Sequence, residues 1–164
     1  MSDPIRRRRD GRYTVKLDPS VRAVLVTMSE QLAPVLSPDD PTTKRLFPPA
    51  YASTMLESAE REYRELVDNA LINHHKEAFA LVAETANAEV LTDIELNAWL
   101  SAIGSMRLVL GTRLDVSEDM EAPGPDDPTA PEYALYELLG QLQFLMVEVL
   151  AAELPDEGQP EGDL

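Results

Sequence analysis

From Ser53 to about Ala88 the chain runs without a proline or a glycine, and that uninterrupted length is what most limits the fold. Strands usually span 3–10 residues, and a structureless loop of this size is uncommon inside a compact domain. Leu56, Ala59, Tyr63, Leu66, Val67, Ala70, Leu71, His74, Ala78, Leu81, Val82 and Thr85 keep approximate helical spacing. One long helix is expected, or two joined by a kink.

Other segments carry the same signature with readable ends. Asp18-Pro19 suits an N-cap followed by Pro at the first helical position. Val21, Val24, Leu25, Met28, Leu32, Val35 and Leu36 then repeat near 3.6 residues, and Pro38 is expected to stop the helix near Ser37. Asp39 to Pro41 reads as a turn, Thr42 to Phe47 as one helical turn, and Pro48-Pro49-Ala50-Tyr51 as a stiff loop. Thr92-Asp93-Ile94-Glu95 matches a capping box. It opens a helix whose buried face is Leu96, Trp99, Leu100, Ile103, Met106 and Leu110, with Gly111 as the residue just past its end. Leu114 to Pro131 reads as a long exposed loop. Glu132 to Glu153 is a strongly amphipathic last helix, with Leu135, Leu138, Leu139, Leu142, Leu145, Met146, Val149 and Leu150 on one stripe. That stripe is wide enough to serve both a core and a homodimer seam.

Only the start departs from helical periodicity. Ile5–Arg9 and Arg12–Leu17 flank Asp10-Gly11, which suits a two-residue type I′ turn, and Tyr13, Val15 and Leu17 alternate with polar residues. A basic β-hairpin is the favoured reading; the competing one is a disordered basic tail up to Arg12 followed by one short strand. The fold class is therefore mainly α: a helical bundle of four to five helices with a short basic N-terminal β-hairpin. Residues 1–154 form one helical domain, and the Pro-, Gly- and acid-containing residues 155–164 a disordered acidic tail.

Charge divides the molecule unequally. Residues 1–22 hold seven cations against Asp3, Asp10 and Asp18, a net of +4, which leaves −20 for the remainder of a chain whose total is −16. The body repels duplex DNA and anionic lipid, so nucleic-acid contact is expected only through Arg6, Arg7, Arg8, Arg9 and Arg12. These arginines could equally bind an acidic protein or fold back onto the acidic body. No helix presents Arg, Lys, Asn and Gln together on one face as a recognition helix does. No apolar run approaches the roughly 18 residues of a spanning helix, and no export-signal pattern follows the arginines. A cytoplasmic protein without membrane contact is expected.

The search for chemistry returns mostly exclusions. The chain has no cysteine, which removes disulfides, thiolate nucleophiles and sulfur-ligated zinc. His74 and His75 are adjacent, so on a helix they point about 100° apart and cannot share a metal in the usual way. Leu71 and Ile72, three residues earlier, rule out the Glu-x-x-His pattern of di-iron bundles. One histidine at the core edge and one facing solvent is the expectation. Seven scattered glycines form no phosphate loop, and no serine sits in a nucleophile elbow. No enzyme activity, cofactor or metal is expected. Gly104 and Gly140 lie inside predicted helices, where close helix approach would offset their cost of about 1 kcal/mol relative to Ala. Arg107 interrupts an apolar face, which invites a buried ion pair; an anion site formed by Arg107 and Arg113 is the competing reading.

Three stretches carry a resemblance: Leu46-Phe47-Pro48-Pro49-Ala50-Tyr51, Ala98-Trp99-Leu100 through Met106-Arg107-Leu108-Val109-Leu110-Gly111-Thr112-Arg113-Leu114, and Tyr133-Ala134-Leu135-Tyr136-Glu137-Leu138-Leu139-Gly140. In them the chain resembles an actinobacterial domain-of-unknown-function family, number twenty-seventeen, over nearly its whole length. The resemblance implies genes encoded beside the adaptor of the Clp protease and, for some members, a transcriptional regulator linked to oxidative stress. The resulting expectation is a non-enzymatic regulatory protein acting mainly through protein contacts, with an accessory role in Clp-type regulated proteolysis as the alternative. A mechanism based on cysteine oxidation is excluded for this chain.

Overall fold

A proline decides where the first helix ends. In the computed structural model, which describes residues 3–47 and 57–152, α1 (Pro19–Leu32) starts where Asp18-Pro19 indicates. It does not run on to Ser37. Pro34 lacks the N–H that would bond Glu30 and its ring crowds that carbonyl, so the chain tightens into a 3-10 turn over Ala33–Val35. A second 3-10 turn, Lys44–Leu46, occupies the predicted single helical turn. Thr43 locks the intervening bend. Its hydroxyl donates to the carbonyls of Val35 and Ser37 at 3.1 and 2.9 Å.

The long helix α2 is continuous over Glu57–Thr85. The stiff loop proposed at Pro48 to Tyr51 and a helix start at Ser53 lie outside the described residues, as does the acidic tail 155–164. Toward its C-terminal end α2 buries Ala78, Phe79 and Val82, whereas Tyr63 and Leu66 nearer its start are 69% and 70% exposed. The sequence places Ala78 and Val82 on one stripe with Tyr63 and Leu66, and the structure packs only the C-terminal part of it, together with Phe79, which lies off that stripe.

The hairpin is real and belongs to a larger sheet. β1 (Ile5–Arg7) pairs antiparallel with β2 (Tyr13–Val15), and β2 pairs antiparallel with β3 (Val90–Leu91), in the order β1-β2-β3. The register sets Ile5 opposite Val15 and Tyr13 opposite Leu91, and these four side chains are 0–2% exposed. The third strand was not expected. Two residues leave no periodicity to read, and Val90-Leu91 is a strand only because β2 lies beside it.

Helix α3 (Asp93–Leu114) begins with the predicted capping box: the Glu95 amide donates to Thr92 Oγ1 and the Thr92 amide to Glu95 Oε1, both at 3.2 Å. Its C-terminus corrects the sequence reading. Gly111 lies inside the helix; Asp115, at φ 51°, adopts the left-handed capping conformation, and the Val116 amide returns to the Gly111 carbonyl at 3.0 Å. The following loop enters α4 (Ala130–Ala151) two residues earlier than expected. There the amide and hydroxyl of Thr129 both donate to Asp127 Oδ1, at 2.8 and 2.7 Å, and hold that carboxyl below its ordinary range.

α3 is the central element, packed against α2 on one side and α4 on the other. Trp99, fully buried, donates its indole N–H to Thr85 Oγ1 at 2.7 Å and joins α3 to the end of α2. Leu139, Leu142 and Met146 of α4 complete a core with Leu96, Ile103 and Met106. The fold is mainly α with a small N-terminal sheet. One property of α4 was not anticipated: by length and composition alone it could cross a membrane. Its inner stripe is engaged in this core, while Phe144 and Val147 face outward at 61% and 48% exposure.

Candidate interaction site

The five predicted arginines do come together, at the tip and flank of the hairpin. The connection is not the two-residue turn expected. The Gly11 amide donates to the Arg8 carbonyl at 3.2 Å and the Arg8 amide to the Arg12 carbonyl at 2.7 Å, so Arg9, Asp10 and Gly11 form a three-residue loop. Gly11 sits at φ 82°, with open space around its Cα. Glycine is needed there for the backbone, because this loop closes through a left-handed residue.

Asp10 organises the tip. Its Oδ1 accepts from the Arg12 amide at 3.0 Å, and its Oδ2 accepts from Arg12 Nε and Nη2 at 3.0 and 2.8 Å. Arg8 Nε lies 3.4 Å from the same oxygen. The Arg12 guanidinium and amide thus hold the Asp10 carboxyl below its usual range. Arg6, Arg7, Arg8, Arg9 and Arg12 are all exposed. Arg6 stands opposite Thr14 on the outer face of the sheet, and neither Arg6 nor Arg9 has a carboxylate within ion-pair distance among the described residues. Asp10 partly offsets Arg8 and Arg12, and with Arg6 and Arg9 the surface keeps a positive, ordered edge.

An arginine that sequence reasoning passed over fixes this edge to the body. Arg22, on α1, is 8% exposed and has four backbone carbonyls around it: Val15 at 2.8 Å, Leu17 at 3.2 Å, Ala86 at 2.7 Å and Ala88 at 2.8 Å. Ala86 directly follows α2, so the cation also meets the negative end of that helix dipole. The sheet adds two main-chain links, Val15 amide to Glu89 carbonyl at 2.8 Å and Lys16 amide to Pro4 carbonyl at 2.7 Å.

The other sequence candidates separate in space. Arg113 Nη2 approaches Glu132 Oε1 at 3.4 Å, with both side chains well exposed. Arg107 takes no part in that pair. Its guanidinium lies 4.6 Å from the centre of the Tyr136 ring, a cation–π arrangement, and its Nε is buried without a hydrogen-bond partner. The buried ion pair expected of these arginines is replaced by an exposed contact and a stacked cation. His74 is exposed and His75 half-buried. The His75 ring meets Phe47 edge-on at 6.1 Å, and its Nδ1 lies 3.4 Å from Ser105 Oγ. Burial pushes its pKa down, with the Leu46 backbone opposing and His74 adding to the effect. Among the described residues no three His, Asp or Glu side chains converge as a metal site would require.

A family model described as Domain of unknown function (DUF2017) matches residues 2–150. Proteins called Oxidative stress regulator AosR from Mycobacterium tuberculosis and Mycobacterium bovis are 29% identical over 130 residues. The match covers 69% of this chain and 59% of each relative. A relative from Mycobacterium leprae is 26% identical over 135 residues, covering 70% and 60%. The chain therefore spans about three fifths of the length of the curated relatives it matches. No solved structure matches the chain.

Proposed function

Because the chain belongs to the DUF2017 family, we propose that it is a regulatory domain working through contacts with other macromolecules rather than through catalysis. Its contacts are mainly with proteins, and any contact with nucleic acid runs through the hairpin. The observation that carries this reading is the ordered edge bearing Arg6, Arg7, Arg8, Arg9 and Arg12 on a body of opposite charge. A flexible basic tail would lose more entropy on binding than a hairpin already fixed by Asp10, Gly11 and Arg22. The regulator names carried by the mycobacterial relatives support the same assignment.

The test is fluorescence anisotropy with mixed-sequence duplex DNA at low and at physiological salt. Substitution is the proper comparison here, since removing residues up to Arg12 would also remove the buried Ile5. The intact chain is expected to bind in a salt-sensitive way, and Arg6→Ala, Arg7→Ala, Arg8→Ala and Arg9→Ala together to abolish that binding. Undiminished binding by the quadruple variant would overturn the hairpin assignment. No binding at low salt would confine the function to protein partners.

A second reading, an accessory to Clp-type regulated proteolysis, draws on the uncovered start of α2, where Tyr63 and Leu66 are available to a protein partner. Co-purification of the intact chain with a Clp adaptor or unfoldase, lost in Leu66→Glu, would support it. A clean negative at micromolar concentrations would remove it.

A further inference from the structure

Three glycines inside α3 and α4 clear space for side chains of the facing helix. A Cβ on Gly140 would stand 3.0 Å from Arg107 Nε and 3.6 Å from its Cζ; one on Gly111 would meet Tyr136 Cε2 at 3.2 Å; one on Gly104 would meet Gln143 Nε2 at 3.3 Å. The Arg107 guanidinium consequently lies against the bare backbone of Gly140 while also contacting the Tyr136 ring at 4.6 Å. Among the described residues none hydrogen-bonds to its nitrogens and no carboxylate lies within ion-pair distance of it. Contacts of this kind hold the planar donor fork in place and leave its hydrogen-bonding capacity unused.

That fork borders a cleft of about 290 Å³ whose lining also includes Arg45, Tyr136 and Gln143. Arg45 is exposed and, like Arg107, has no carboxylate partner among the described residues. Among the described residues no acidic side chain lines the cleft, although the chain carries 30 acids and a net charge of −16. Glu137 belongs to a separate hollow that Arg107 and Tyr136 also border. Two arginines in a concave setting that no described carboxylate lines favour an anion over water and over a cation.

We propose that this cleft binds a small oxyanion ligand, a free carboxylate- or phosphate-bearing molecule, with Arg107 as the positioned fork and Arg45 as the second cation. The volume lies at the lower end of small-molecule sites and suits a compact acid or a phosphate ester better than a dinucleotide. The site would give a regulatory domain a ligand input distinct from the hairpin, and it stands whether or not the hairpin binds nucleic acid. It differs from the anion site of Arg107 and Arg113 that the sequence offered as its competing reading: Arg45, more than sixty residues away in the chain, borders the cleft in place of Arg113.

The experiment is isothermal titration of the intact chain with inorganic phosphate and, separately, with succinate, at ionic strength held constant with chloride. Saturable binding of one or both is expected, and the stronger of the two identifies the headgroup class. Arg45→Ala, an exposed substitution that leaves the core untouched, should weaken binding by about tenfold or more. Arg107→Lys, which keeps the charge and loses the fork, should do the same. Gly140→Ala should weaken it without altering any charge, by displacing Arg107. Failure of both ligands to bind would overturn the proposal. So would binding that survives Arg45→Ala and Arg107→Lys, or that disappears only when Arg6 to Arg9 are replaced.

Discussion

Arg22 shows what a single side chain can do for this fold. Its partners are the main-chain carbonyls of Val15, Leu17, Ala86 and Ala88, which join β2, the start of α1 and the end of α2. Arg22→Met keeps an aliphatic stem but leaves those carbonyls short of a donor, and should lower stability by about 3 kcal/mol in urea denaturation. A loss below about 0.5 kcal/mol would mean that water replaces the guanidinium without penalty. The sequence could not reveal this role, because carbonyls have no residue signature. A histidine at the core edge was legible, but the apolar spacing pointed to His74 whereas the fold half-buries His75, and the consequence of burial for His75 carried no sequence signal. Its folded pKa lies below the ordinary value of 6.5, so below pH 6.5 the unfolded chain takes up a proton that the folded one resists. Stability should fall as pH drops from 6.5 through the folded pKa and then level off. Denaturation curves at about pH 7.5 and about pH 5 should show a difference that His75→Phe reduces; an unchanged difference would assign the slope to other groups.

Element boundaries were readable where a side chain itself makes the boundary. Thr92 and Glu95 fix the start of α3 by direct hydrogen bonds, and Thr92→Ala should cost about 1 kcal/mol, measured as a shift in the denaturation midpoint at constant slope. A neutral result would show that Asp93 or water satisfies the same amides. The end of α1 was also present in the sequence, in Pro34, but the apolar spacing of Val35 and Leu36 obscured it. Gly111 was misread for the opposite reason. A glycine near a helix end suggests a cap, whereas here the space it leaves is filled by Tyr136, a contact between residues twenty-five apart. β3 had no signal of its own. The long helix was the clearest element of all, yet its periodicity could not tell which part of the stripe would find a partner. Ala78, Phe79 and Val82 are buried, and Tyr63 and Leu66 are not.

For the whole molecule, charge was legible and surfaces were not. The imbalance between residues 1–22 and the rest is arithmetic on the sequence, but only the fold places Arg45 beside Arg107, or turns Phe144, Val147 and Leu108 outward from α4 and α3. From Gly140 to Val147 the outer helix carries no charged residue, so a second copy of so acidic a chain meets little repulsion there. Light scattering on the eluted chain is accordingly expected to give a dimer mass, and Phe144→Glu a monomer mass with an unchanged helical spectrum. A monomeric parent chain at about 100 μM, within the concentration range where weak association shows, would remove the dimer. Salt should act on the two halves in opposite senses, screening repulsion within the acidic body while weakening whatever the hairpin attracts.

The pairing of β2 with β3 also imposes an order in time. Val15 leaves the ribosome 76 residues ahead of Leu91, and at about 5–20 residues per second that is an interval of about 4 to 15 s. Throughout it the arginine-bearing segment lacks both its third strand and the Ala86 and Ala88 carbonyls that Arg22 requires. The nascent basic segment is thus translated before the surface that will hold it exists, and the 86–91 segment that captures it emerges ahead of α3 and α4, so the sheet can close before the core is complete.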